Sequence, residues 1–168
     1  LLDPGSGSVL ALLGDGQGRF AAPISTNVGS SVRDIALADL DGDQRADLLV
    51  AKDSSDQLVV YGGRGDGGFR STPLAAVSTG RGPCSIAVGL FDADARPDVA
   101  LVLCQDAAAQ VRLNVGGTQL LGAPRSLVTL GGRATPRRVL TADMNADGQT
   151  DLVVSNSDQS TLAVFSVL

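Results

Sequence analysis

Three stretches of this chain align without gaps: 38–50 (ADLDGDQRADLLV), 89–101 (GLFDADARPDVAL) and 142–154 (ADMNADGQTDLVV). This repeat constrains the fold more than any other feature. The last Asp of each loop falls at Asp47, Asp98 and Asp151, so the period is 51 residues and then 53. A second element recurs between the loops, at 14–20 (GDGQGRF) and 63–69 (GRGDGGF), with a worn copy near 115–121. A period near 50 means that one supersecondary unit is stacked several times, each copy burying its apolar face on a neighbour.

The unit is built of strands. Apolar runs are short and separated by Gly, Asp, Asn and Ser clusters, and no long window sustains a 3.6-residue period. Gly (21) and Pro (7) make up one sixth of the chain and disfavour helices throughout. The class is all-β. In the first complete unit the strands read as 35–41, 48–53, 58–62 and 73–79, with Ser/Asp-rich turns such as 52–57 and 155–160. Apolar residues occupy both faces of the first two strands (Ile35, Ala36, Leu37, Ala38; Leu48, Leu49, Val50), as in a sheet sandwiched between other sheets. Four-stranded antiparallel sheets stacked at this period describe the blades of a β-propeller.

The strand count predicts an incomplete ring. The chain enters at a third strand (9–13) and ends after a third strand (162–167), which gives about three blades and a spare strand. One repeat array then covers 1–168, with the third and fourth strands of a blade at 1–30. Full units follow near 31–80 and 82–131, and a final partial unit at 135–168. Propellers close with about four to eight blades, so further blades are expected from the same protein or from another chain. An open stack would expose two apolar blade faces. The first residue is Leu1, not Met, and no signal-peptide pattern is visible, which reads as a mature or excised piece of something longer.

All 18 acidic residues are Asp, and ten of them lie in the loops 39–47, 90–98 and 143–151 beside only Arg45 and Arg96. Those loops therefore carry eight net negative charges, and the remainder of the chain three net positive ones. In the first loop Asp39, Asp41, Asp43 and Asp47 stand at positions 1, 3, 5 and 9, and Arg45 at position 7 can offer its carbonyl. Four carboxylates in one tight turn repel each other without a cation, and an all-oxygen donor set selects Ca²⁺ over Zn²⁺. An EF-hand would need an acid at position 12, where Val50, Leu101 and Val154 stand, and a helix to follow. The third loop keeps the scheme with Asp143, Asn145, Asp147, the Gln149 carbonyl and Asp151. The second has Leu90 at position 1, leaving Asp92, Asp94 and Asp98, and is expected to be weak or empty, an Asp-rich turn instead. Two calcium sites are thus predicted.

The pattern D-x-D-G-D-x-x-x-D-L-L-V, followed by a strand and a Gly/Phe turn, resembles the FG-GAP/VCBS repeat, found in integrin α-subunit propellers and many bacterial secreted proteins. The resemblance covers nearly the whole chain. It implies that Asp39, Asp41, Asp43 and Asp47, and separately Asp143, Asn145, Asp147 and Asp151, are calcium ligands in hairpins on one face of a propeller. Leu90, Ala93 and the worn third Gly/Phe turn depart from the pattern.

Cys84 and Cys104 are centred on residue 94, the middle of the second loop, so a symmetric hairpin sets them opposite each other. The same construction sets Arg33 opposite Asp53 and Arg137 opposite Ser157. Two buried free thiols are the alternative. Register and a composition suited to secretion favour a disulfide.

The expected function is a calcium-stabilised propeller module for adhesion or protein–protein interaction, secreted or at the cell surface, with the periplasm as a further location. A lectin-like propeller that binds glycans, or an accessory domain of a larger secreted enzyme, is the alternative. Aromatic sugar platforms are scarce, since Tyr61 is the only Tyr. No His or Glu is present, which removes imidazole-based nucleophile systems and leaves only Asp as acid and base, so no enzyme is expected. Arg133, Arg137 and Arg138 form the only mild basic cluster, too little for nucleic acid. No apolar run is long enough for a membrane-spanning helix.

Overall fold

The computed structural model describes residues 2–3, 7–129, 135–157 and 161–165. Its strands are β1 (Leu2–Asp3), β2 (Ser8–Ala11), β3 (Ile24–Asn27), β4 (Val32–Ala38), β5 (Asp47–Lys52), β6 (Gln57–Tyr61) and β7 (Ala75–Ser78). They continue with β8 (Pro83–Gly89), β9 (Asp98–Leu103), β10 (Ala108–Gly116), β11 (Leu120–Thr129), β12 (Pro136–Ala142), β13 (Asp151–Asn156) and β14 (Thr161–Phe165). Four antiparallel meanders result: β1–β3, β4–β7, β8–β11 and β12–β14. The two complete sheets are the four-stranded units expected from the repeat, and the all-β reading holds.

The first sheet differs from expectation. It contains β1 ahead of the two expected strands, because Leu2 and Asp3 pair with Val9 and Ser8. The inner strand of each complete unit also starts earlier than its apolar run suggests, at Val32 rather than residue 35. Polar Arg33 and Asp34 hide that start, since a bulge lies between Val32 and Asp34. The same bulge recurs between Pro83 and Ser85, and between Pro136 and Arg138. The worn Gly/Phe turn is a tighter hairpin in the structure, with β10 running to Gly116 and β11 starting at Leu120. Arg133, residues 158–160 of the predicted turn, and 166–167 of the predicted last strand lie outside the described residues.

The sheets stack face to face through their first strands, β4 on β8 and β8 on β12. Leu49, Ala51, Leu58 and Val60 of one sheet bury themselves against Ile86, Val99 and Leu101 of the next. Ala100, Val102, Val111 and Leu113 on the other face pack on Val139, Leu152 and Val154. Val9 and Val28 of the first sheet pack on Leu48, Val50, Val59 and Tyr61. Strands β5 and β9 are consequently buried on both faces. Polar links cross the same seams: Asp34 Oδ2 accepts from Ser85 Oγ at 3.1 Å and from the Ile86 N–H at 2.9 Å, and Ser85 Oγ accepts from the Val139 N–H at 3.2 Å. The Asp loops all join a first strand to a second strand, so this stacking sets them along one end of the molecule.

Candidate metal centre

The geometry of the first loop begins with Asp39. Its Oδ1 accepts the N–H groups of Gly42 (2.8 Å) and Asp43 (3.1 Å), and its Oδ2 that of Gln44 (2.7 Å). Collecting three successive donors curls the backbone, and Gly42 and Gln44 take positive φ of 79° and 64°. Asp41 Oδ1 then accepts from Asp43 N–H at 3.1 Å, and Asp43 Oδ1 from Arg45 N–H at 2.9 Å. The carboxylates of Asp39, Asp41 and Asp43 converge, each offering an oxygen within 4.8 Å of the others. Asp43 is also paired with the Arg45 guanidinium, through Nε at 3.0 Å.

The protonation behaviour reflects this crowding. Burial, followed by the charges of Asp47, Asp43 and Asp39, holds the Asp41 carboxyl above its ordinary range, against one backbone hydrogen bond that lowers it. Desolvation also pushes Asp43 upward, but hydrogen bonds from the Arg45 side chain and backbone, and its charge, bring it below the usual value.

The last Asp of each loop has a different task. Asp47, Asp98 and Asp151 are fully buried. Asp47 accepts the Leu40 N–H on Oδ2 and the Gly63 N–H on Oδ1, both at 2.9 Å. Asp98 repeats this with Phe91 and Asn114, both at 2.8 Å. Asp151 accepts the Met144 N–H at 2.8 Å, and its Oδ1 has no partner among the described residues. Residue 167, sixteen positions on as the donors are in the other two units, lies outside the described residues. This Asp therefore ties the loop to its own sheet. Asp47 lies outside the tight trio, yet its charge acts on Asp41.

The third loop reproduces the first. Asp143 accepts the Asp147 and Gly148 N–H groups at 3.2 and 2.9 Å, Asn145 Oδ1 accepts from Asp147 N–H at 2.9 Å, and Asp147 Oδ1 from Gln149 N–H at 2.8 Å. Ala146 and Gly148 take the same positive φ, 61° and 84°. Arg45 and Gln149 hold equivalent places at position 7. The second loop keeps the bonds from Asp94 N–H to Asp92 and from Arg96 N–H to Asp94, at 3.0 and 2.8 Å, and Arg96 pairs with the Asp94 carboxylate. Leu90 cannot collect the next N–H groups, and neither Ala93 nor Ala95 takes a positive φ. Burial and the charges of Asp92 and Asp94 raise Asp98, against hydrogen bonds from Asn114 and Phe91.

The donor set of loop one suits a hard divalent cation, with carboxylate oxygens that converge in surplus over Arg45 as counterion; loop three carries the same residue types, though there Asn145 Nδ2 donates to Asp147 Oδ2 at 2.9 Å. Calcium would be held by Asp39, Asp41 and Asp43, and by Asp143, Asn145 and Asp147, with Asp47 and Asp151 beneath. Its chemistry would be charge neutralisation.

Below each loop, the bulged residue faces the residue just past the end of the next strand. Arg33 Nε lies 3.0 Å from Asp53 Oδ2, Cys84 is disulfide-bonded to Cys104 with a Cα–Cα distance of 5.9 Å, and Arg137 Nε donates to Ser157 Oγ at 3.3 Å. All three predicted pairs form. Sequence reading missed loop position 2: Leu40 and Phe91 are buried in the neighbouring sheet, whereas Met144 is 58% exposed. The signal was the unbroken apolar column in the alignment.

The sequence profile of the FG-GAP-like repeat matches three times, at residues 1–50, 39–101 and 91–154. No curated protein matches the chain. Among solved structures, the fold is similar to the crystal structure of BBS1N in complex with ARL6DN, soaked with lead, with a TM-score of 0.59 and 12% identity. The match covers 83% of this chain and 41% of that one, so this chain spans less than half its length, and the likeness is one of fold.

Proposed function

The chain belongs to the FG-GAP-like repeat family, and on that premise we propose that it is a calcium-stabilised β-propeller module for adhesion or protein–protein interaction outside the cell. The observation that carries this reading is the trio Asp39, Asp41 and Asp43, whose loop geometry returns at Asp143, Asn145 and Asp147. In this reading calcium is structural: it holds together a turn that self-repulsion otherwise loosens. The Cys84–Cys104 disulfide supports an oxidising compartment. The similar BBS1N structure holds a protein, ARL6DN, which agrees with a protein partner. No catalytic role is proposed. A glycan platform finds no support in Tyr61, which is buried with its hydroxyl 3.4 Å from the Val28 carbonyl.

Thermal unfolding with and without chelator tests the proposal. At calcium near 100 Kd each site adds about 2.7 kcal/mol. Two sites then correspond to a Tm lowered by roughly 10 to 20 °C in EDTA. A melting curve unchanged by EDTA and by added calcium overturns the metal reading.

A further inference from the structure

Asn114, on β10, is 1% exposed and meets residues of two Asp loops. Its Nδ2 donates to the Leu40 carbonyl of loop one at 2.9 Å. Its N–H donates to Asp98 Oδ1 at 2.8 Å, and its own carbonyl accepts from Arg96 Nε at 2.8 Å. Its Oδ1 accepts the Gly116 N–H at 3.0 Å. Loop two, through its positions 7 and 9, thus holds the residue that reaches across to loop one.

Leu40 stands between two candidate ligands, Asp39 and Asp41. A peptide unit is planar, so holding both the N–H and the carbonyl of one residue orients the two planes that flank it. Asp47 Oδ2 takes the Leu40 N–H, which belongs to the peptide from Asp39, and Asn114 takes the carbonyl, which belongs to the peptide into Asp41. The Leu40 side chain is itself buried in the cluster that contains Ile86, Val99 and Leu101. These anchors set the directions in which the Asp39 and Asp41 carboxylates leave the backbone. The sheet of Asn114 does not need its side chain for the tie to the closing Asp. Gly63, sixteen residues after Asp47, gives its N–H to Asp47 as Asn114 does to Asp98, and a Cβ there would stand 2.3 Å from the Ala46 carbonyl oxygen. That tie is a backbone bond, so the Asn114 amide is left to serve the neighbouring loop.

We propose that Asn114 is a positioning residue for the cation site of loop one, and that loop two, which lacks an acid at position 1, is its mount. The inference rests on the calcium reading of loop one and adds to it a residue from another repeat. A loop already held in its binding shape loses less freedom when the ion arrives. Removing the Asn114 amide therefore weakens loop one. Loop three keeps its affinity, because the hydrogen-bond partners of Asn114 lie in loops one and two and in its own hairpin.

Two measurements on Asn114→Ala test this, both read residue by residue by NMR. In EDTA, hydrogen exchange compares the Leu40 amide with its counterpart Met144, which Asp151 holds in the same way. Exchange at Leu40 should quicken about tenfold and that at Met144 should not change. In a calcium titration the Gly42 amide reports loop one and the Gly148 amide loop three. Loop one should bind calcium about fivefold more weakly and loop three as before. Leu113→Ala, on the opposite face of the same strand, controls for lost stability and should spare both loops. Arg96→Ala, at a side chain 50% exposed, should fold and quicken Leu40 exchange by about twofold. A Leu40 amide unmoved in both Asn114→Ala and Arg96→Ala overturns the proposal, as does an equal change at Met144 or in Leu113→Ala. A calcium response at Gly42 that Asn114→Ala leaves unchanged overturns the role of Asn114 alone. A wild-type chain in which Gly42 and Gly148 both ignore calcium overturns the metal reading, and this proposal with it.

Discussion

The hairpins β4–β5 and β8–β9 are one repeat apart and share register, bulge and stacking, yet they are closed differently. In β4–β5 an Asp at loop position 1 gathers three N–H groups and brings three carboxylates together. In β8–β9 Leu90 offers no such acceptor, although the later bonds of the turn remain, and the hairpin carries a disulfide at its base where the other has an ion pair between Arg33 and Asp53. The repeat preserves the hairpin and exchanges the clamp. One clamp is proposed to need calcium, the other oxidation, so the two hairpins should fail under different conditions.

Breaking the covalent clamp gives the largest expected effect on a single hairpin. The bridge spans 20 residues, which corresponds to about 3 kcal/mol. Cys84→Ser with Cys104→Ser should lower Tm and open β8–β9 to hydrogen exchange, with β4–β5 still protected in calcium. Chelation should do the reverse, at about 2.7 kcal/mol per site, or roughly 100-fold faster exchange in β4–β5 and β12–β13. Equal loss of protection in β8–β9 would erase the distinction.

A gain of function sharpens the comparison further. Leu90→Asp restores the acceptor, but Ala93 and Ala95 must then take positive φ, at about 1 kcal/mol or more each. The single variant should show little calcium response. Adding Ala93→Gly and Ala95→Gly removes that strain, and a calcium-dependent Tm rise of roughly 2 °C or more is expected. Arg33→Ala should matter least. The Arg33 side chain is 58% exposed, so its ion pair contributes about 0.5 kcal/mol, to be read in a double-mutant cycle with Asp53→Ala.

Much of this was legible in the chain. The gapless repeat announced the sheets, and symmetry about each loop centre predicted Arg33–Asp53, Cys84–Cys104 and Arg137–Ser157, because a hairpin maps sequence symmetry directly onto space. The convergence of Asp39, Asp41 and Asp43, at alternating positions of one loop, was legible for the same reason. The double acceptor role of Asp47 was not, since its second donor, Gly63, lies sixteen residues away across another strand. Nor was β1, a two-residue strand visible only through its pairing with Val9 and Ser8.

The sequence by itself determined the unit: its period, its strands, its turn chemistry and the pairs that close each hairpin, all set by interactions within about twenty residues. Only the tertiary structure decided how units meet. The burial of Leu40 and Phe91 and the exposure of Met144 follow from which sheet lies next to which. An apolar residue carries no mark of its neighbour, because burial is non-directional, and stacking alone assigns it a partner.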